Sequence, residues 1–158
     1  MSTKNNVGLD VSAINSIVEK LGILLADYHV FYANLRGFHW NIKGDKFFEL
    51  HELYEEYYND TAEKIDAVAE RIVMLGSVPA NTFTQYLKQT TLKEISAESN
   101  WNVGVKNVLD TLKSLLEKQR EILTMARDAK DVATISLISH GIKEYEKKIW
   151  MLSAYLAD

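Results

Sequence analysis

Residues 51–76 of this chain, HELYEEYYNDTAEKIDAVAERIVMLG, decide its fold. Neither glycine nor proline interrupts the stretch before Gly76, and most of its residues are good helix formers. Gly76 lies where a helix commonly ends in a left-handed residue, and Pro79 follows where a helix cannot continue. The sequence therefore predicts one long helix from about Lys46 to Leu75.

Three other stretches have helical periodicity. The first follows Asp10, a favourable N-cap residue, and repeats apolar residues at spacings of three and four until about 37–40. The other two run over about 100–129 and 131–156. Between the first two helices, Gly44 is expected to adopt a positive φ in a turn and Asp45 to cap the next helix.

The connection between the second and third long helices is long, at roughly twenty residues over 80–99, with a possible short helix at 86–89. Such a length suggests a crossover between helices that are not simple neighbours. Two helical hairpins joined by one long connection are typical of a ferritin-like bundle. The predicted fold class is all-α: a ferritin-like four-helix bundle whose crossover between helices two and three carries a short helix.

The composition is that of an ordinary globular protein. The 158 residues are 47% hydrophobic and 25% charged, which predicts a single domain over 1–158 with a flexible tail at 1–9. Cysteine is absent, so there is no disulfide framework or thiolate metal site, and a reducing cytoplasm fits. We predict neither a signal peptide nor a membrane helix.

Two of the four histidines, His39 and His51, flank the predicted turn beside a region rich in carboxylates. At about 100° per residue, with His51 at zero, Glu55 falls near 40°, Asp66 near 60° and Glu70 near 100°, so all four share one helix stripe. His51 and Asp66 are nevertheless roughly 22 Å apart along the axis, far beyond metal–ligand distances of about 2 Å. These four residues of one helix therefore cannot all bind the same metal ion.

The numbering suggests how the residues could meet. The residue numbers of His51 and Glu70 add up to 121, and so do those of Glu55 and Asp66. Two copies of this helix, antiparallel about a two-fold axis between positions 60 and 61, would place each pair close together. We therefore predict metal sites shared between two subunits.

The chemistry of these side chains favours iron. Imidazole and carboxylate ligands without sulfur suit Fe(II), Mn(II) or Zn(II), and an oxygen-rich set with open positions favours redox-active iron. Taken singly, each acid is also typical of a solvated helix face, so a non-catalytic helical protein stays open as an alternative. The absence of a Glu-x-x-His motif argues against another interpretation, a different di-metal carboxylate enzyme.

Several short motifs are similar to those of a known family. They are Phe38-His39-Trp40-Asn41, Gly44, Phe47, His51-Glu52, Asp66-Ala67-Val68-Ala69-Glu70-Arg71, Leu75-Gly76 and Lys148-Ile149-Trp150-Met151. With the chain length and the long middle connection, they resemble the Dps family, the starvation-induced, DNA-protecting miniferritins of bacteria and archaea. The resemblance covers nearly the whole chain.

This resemblance implies a hollow homododecamer that oxidises Fe(II) at intersubunit ferroxidase centres, preferentially with hydrogen peroxide, and stores ferric mineral inside. Such chemistry protects DNA from oxidative damage, and zinc is a possible competitor for the iron. By the family pattern, His39 and His51 come from one subunit, and Asp66 and Glu70 from its two-fold mate. The fifth ligand, Glu55, stands where the family commonly has Asp.

Direct DNA binding is not expected. The net charge is −4, with 18 basic residues spread along the chain and no basic stripe to neutralise phosphates. Family members that bind DNA directly often carry several lysines on a terminal extension, whereas residues 1–10 here contain Lys4 alone. A non-catalytic cage acting by DNA compaction or surface recognition is the alternative function.

Simpler roles are expected for other conspicuous residues. We expect no metal role for His29 and His140, and packing rather than electron donation for Trp40. The resemblance makes Asp128 and Asp131, near the last interhelical turn, candidates for an acidic ion-entry pore, although acids at a helix start are also ordinary caps.

Overall fold

Five helices make up the ordered architecture of residues 3–157, which the computed structural model describes. They are α1 (Val11–Asn41), α2 (Phe47–Met74), α3 (Phe83–Gln89), α4 (Trp101–Asp128) and α5 (Val132–Tyr155). α1 packs along α2 and α4 along α5, while α1 also contacts α4 and α3. This confirms the all-α four-helix bundle with a crossover that carries a short helix. None of these helices is both long and apolar enough to cross a membrane.

The helix boundaries follow from caps and glycines. Asp10 accepts hydrogen bonds from the backbone N–H groups at the start of α1, as predicted, and Asn100 does the same for α4. Gly44 and Gly76 have φ values of 102° and 91°, which confirms both as left-handed residues. The prediction for Asp45 is wrong, because Lys46 occupies the N-cap position of α2 without a side-chain hydrogen bond.

Buried polar side chains of α1 fix the crossover to the bundle. Asn34 donates to the carbonyl oxygen of Lys93 and accepts from the N–H of Ile95, both at 2.9 Å. Asp27 is fully buried, accepts from the Thr91 N–H at 2.6 Å and pairs with a lysine of α4. The long connection is therefore an ordered part of the fold.

The crossover helix is longer than the sequence predicted. α3 begins at Phe83 because Thr82 and Gln85 form a reciprocal capping box at its start. The described part of the expected N-terminal tail, residues 3–9, folds back on the bundle, where Asn5 donates to the Leu75 carbonyl at 3.1 Å. Residues 1–2 of that tail lie outside the described residues.

Candidate metal centre

The turn between α1 and α2 brings His39 and His51 together. Their rings stack with centroids 3.7 Å apart and planes inclined by 15°. The Nδ1 atom of His39 lies 2.6 Å from the His51 carbonyl oxygen, and the Nδ1 atom of His51 lies 2.8 Å from the His39 carbonyl oxygen. Since a carbonyl oxygen only accepts, Nδ1 is the protonated nitrogen of each imidazole in its neutral form, and Nε2 then keeps a lone pair that can bind a metal ion.

The stacking geometry determines how many ions the pair can bind. An imidazole binds a metal in its own ring plane, at about 2.1 Å from the nitrogen. Two planes that are nearly parallel and stacked do not meet that close to both Nε2 atoms. In this arrangement His39 and His51 therefore offer donors to two separate ions rather than to one.

The three acidic candidates lie further along α2. Glu55, Asp66 and Glu70 are all exposed on that helix. Within residues 3–157, no group of three or more His, Asp or Glu side chains is close enough to hold a metal ion. One chain thus unites the histidines but does not bring Asp66 and Glu70 to them, and the centre shared between subunits stays a prediction.

Two exposed apolar residues on the same stripe were missed by the sequence reasoning. Phe48 is 84% exposed and Val73 is 57% exposed, at opposite ends of α2. Their residue numbers also sum to 121, and their helical angles, about 60° and 40° from His51, place them on the acidic stripe. The shared sum of 121 is the sequence signal that could have found them.

Two aromatic rings adjoin the histidine pair. Phe47 stacks on His51 with centroids 5.0 Å apart and planes 19° apart. Tyr58 meets His39 in a T-shaped contact, with centroids 5.3 Å apart. Sequence reasoning used Phe47 only as part of a motif.

The other histidines and Trp40 each contact a residue outside this pair. His29 stacks on Tyr86 with centroids 3.7 Å apart, and its burial lowers its pKa. His140 is exposed, 3.3 Å from Glu144 on the same helix. Trp40, expected to be packed, is 60% exposed and lies beneath a guanidinium group.

The pore assignment of Asp131 is wrong. Asp131 is 1% exposed, caps α5 and pairs with Arg71 of α2 at 2.7 Å. Arg71 also donates to Thr134 at 2.8 Å, so the carboxylate belongs to a buried polar cluster rather than to an open channel. Asp128 is exposed in the last turn of α4, and its role at a pore stays a prediction.

Comparison with known proteins identifies the family. The family described as "Ferritin-like domain" matches residues 18–158. A protein of Porphyromonas gingivalis named "DNA protection during starvation protein" is 47% identical over 152 residues, which cover 94% of this chain and 93% of the relative. The chain belongs to the Dps family. A second Dps relative, from Helicobacter pylori, is 36% identical over 140 residues, 88% of this chain and 97% of its own length.

A solved Dps structure has the same fold. The crystal structure of the Dps protein from Vibrio cholerae O1 aligns with a TM-score of 0.97 and 41% identity, covering 99% of each chain. That protein is described as a member of a broad superfamily of ferritin-like diiron-carboxylate proteins. The geometry of the histidine pair, which offers donors to two ions, agrees with the diiron description of this superfamily.

Proposed function

We propose that this Dps-family protein is a ferroxidase that oxidises Fe(II), preferentially with hydrogen peroxide, and stores the ferric product inside a hollow dodecamer in the cytoplasm. The observation that carries the proposal is the reciprocal hydrogen bonding of His39 and His51, which leaves both Nε2 lone pairs available. The DNA protection named for its relatives would then come from removing Fe(II) and peroxide together.

The centre is proposed to lie between two chains. His39, His51 and Glu55 would come from one chain, and Asp66 and Glu70 from the other. The exposure of Phe48 and Val73 supports this arrangement, because the proposed two-fold axis would set these apolar residues of partner chains opposite one another. Their burial would stabilise the interface at both of its ends.

A centre that holds two adjacent Fe(II) ions suits hydrogen peroxide as the oxidant, because one peroxide molecule accepts two electrons. Two Fe(II) ions each give one electron to one hydrogen peroxide molecule, and its O–O bond is cleaved into two hydroxide ions. No hydroxyl radical is released, since both electrons arrive from neighbouring ions. The carboxylates of Asp66 and Glu70 would neutralise the growing positive charge on the ions.

Glu55 is proposed to bind iron with altered geometry. Its side chain has one methylene group more than the Asp common in the family, so its carboxylate reaches further from α2. A ligand that is displaced by about 1 Å binds its ion with a changed affinity, and we propose that the second ion is the one affected. Zinc is proposed to compete for the same ligands, because imidazole and carboxylate suit both metals.

Anaerobic iron loading tests the function. Purified protein is mixed with Fe(II), peroxide is added, and ferric absorbance is followed. The variant with His39→Ala, His51→Ala and Asp66→Ala combined is expected to lose rapid oxidation, whereas His140→Ala, which changes an exposed histidine outside the pair, should not. An unchanged rate in the triple variant would refute the proposed site.

DNA protection is proposed to need no direct contact with DNA. The net charge of −4 opposes binding to phosphates. A gel-shift assay at low salt is expected to show no complex at neutral pH. Tight, stoichiometric complexes would instead support the alternative function of DNA compaction.

A further inference from the structure

Two further aromatic rings, Phe47 and Tyr58, contact the imidazoles of His39 and His51. Phe47 covers one face of His51, His51 stacks on His39, and Tyr58 contacts His39. Each outer ring contacts one histidine. Each histidine therefore has its own aromatic neighbour as well as its own hydrogen bond.

The hydrogen bonds alone do not determine the direction of the metal-binding lone pairs. A bond from Nδ1 to a carbonyl oxygen fixes one point of an imidazole, and the ring can still tilt about that point. Contact with a second ring restricts the tilt of the plane, and a metal ion must lie in that plane to accept the lone pair. The two imidazoles restrict one another by stacking, and each outer ring adds a second ring contact to one of them.

We propose that Phe47 and Tyr58 are positioning residues that act separately on the two metal ions: Phe47 on the ion bound by His51, and Tyr58 on the ion bound by His39. This inference rests on the proposed function, because it assumes that the histidines bind metal. The ring of Tyr58, rather than its hydroxyl group, has this role, since the ring is what contacts the His39 imidazole.

Cobalt titration tests the assignment without iron oxidation. Co(II) replaces Fe(II) under anaerobic conditions, and its visible absorption reports the number and affinity of bound ions in the assembled, metal-free protein. The variants His39→Ala and His51→Ala each remove one ion and so identify its spectrum. Wild-type protein is expected to bind two Co(II) ions per centre.

Leucine variants remove the planar contact and keep an apolar side chain. Phe47→Leu is expected to weaken the His51 ion about tenfold or more and to spare the His39 ion. Tyr58→Leu should do the opposite. The conservative variants Phe47→Tyr and Tyr58→Phe keep the ring, so both should bind Co(II) like the wild type.

Three outcomes would overturn the proposal: wild-type affinities in both leucine variants, equal weakening of both ions in either variant, or a Tyr58→Phe variant that behaves like Tyr58→Leu. Mass and thermal unfolding of the metal-free variants establish that they assemble. If a leucine variant does not assemble, methionine replaces leucine and the same outcomes apply.

The same titration separates this proposal from the proposed function. Wild-type protein that binds no Co(II), or binding that neither histidine variant changes, would refute the metal centre itself. Two-ion binding that depends on both histidines, but not on the rings of Phe47 and Tyr58, would refute the positioning role alone.

Discussion

Asp131 stabilises the bundle by holding a buried guanidinium group. Its carboxylate pairs with Arg71 and also accepts the N–H of Thr134 at the start of α5. Both members of the ion pair are nearly excluded from solvent. Removing one member of such a pair leaves the other charge buried without compensation, which is far more costly than losing a surface pair.

We expect Asp131→Ala to lower the free energy of unfolding by about 3–5 kcal/mol, because the Arg71 charge loses its partner and α5 loses its cap. Urea denaturation of the metal-free protein measures the change. Asp128→Ala is the matched control, three residues earlier and exposed, and should change the free energy of unfolding by less than about 0.5 kcal/mol. Equal effects of the two variants would contradict the structural role of Asp131.

At the scale of single residues, the sequence predicted which residues to consider for the site better than it predicted which groups they contact. His39 and His51 were chosen from residue type and position, but their mutual hydrogen bonds depend on how the turn at 42–46 returns the chain. No periodicity encodes that return. Asp131 was misassigned for the same reason, since its partner lies sixty residues earlier on α2.

α2 serves two purposes on two faces. One face carries the acidic stripe that the proposed metal centre requires. The other faces α5, where Asp60 binds Lys64 at 2.9 Å and also binds Lys148. Lys64 in turn binds Glu144, so these charges link α2 to α5 through a partly buried network.

The pKa of Asp60 makes this network sensitive to acid. Burial raises that pKa, but hydrogen bonds from Lys148 and Lys64 outweigh the burial and hold it below the ordinary value. A carboxylate with a lowered folded-state pKa contributes stability above its unfolded pKa of about 4, and loses the contribution as the pH falls through its folded pKa. The effect is therefore fully present at neutral pH.

We expect Asp60→Asn to lower the free energy of unfolding at pH 7, with the difference from wild type shrinking below about pH 4. Denaturation of the metal-free protein at a series of pH values measures it. Glu121→Gln is the matched control, because Glu121 pairs with Lys20 at 2.8 Å on the exposed surface and should matter little. A difference that stays constant down to pH 2 would rule out the linkage.

At the scale of elements, the long helices were predictable and their junctions less so. α1, α2, α4 and α5 follow from apolar periodicity, Gly76 and Pro79, since these signals are local. The start of α3 was missed because the reciprocal hydrogen bonds of Thr82 and Gln85 require both side chains in place. The cap expected from Asp45 failed because the turn ends at Lys46 instead.

At the scale of the whole molecule, the proposed centre is complete only when two chains meet. The exposed stripe of α2 contains the acids in its middle and apolar residues at its ends. Exposure of the apolar side chains of Phe48 and Val73 to water is unfavourable in free energy, and pairing about the proposed two-fold axis would bury both. Iron oxidation and assembly are therefore expected to be lost together.

Phe48→Glu tests this dependence. Because Phe48 is 84% exposed in the single chain, the variant should keep its helical circular dichroism. Burial of an unpaired carboxylate in the interface should shift the mass towards smaller species, and peroxide-driven Fe(II) oxidation should fall at least about tenfold. Light scattering and ferric absorbance measure the two effects on the same sample.

Two further variants make the test specific to the two-fold axis. Phe48→Leu keeps an apolar contact and should retain both assembly and oxidation. Val73→Glu should reproduce the Phe48→Glu defects, because the proposed axis would set Val73 of one chain opposite Phe48 of the other. A Phe48→Glu protein of wild-type mass and wild-type oxidation rate would show that this stripe is not the interface, and the shared centre would have to be abandoned.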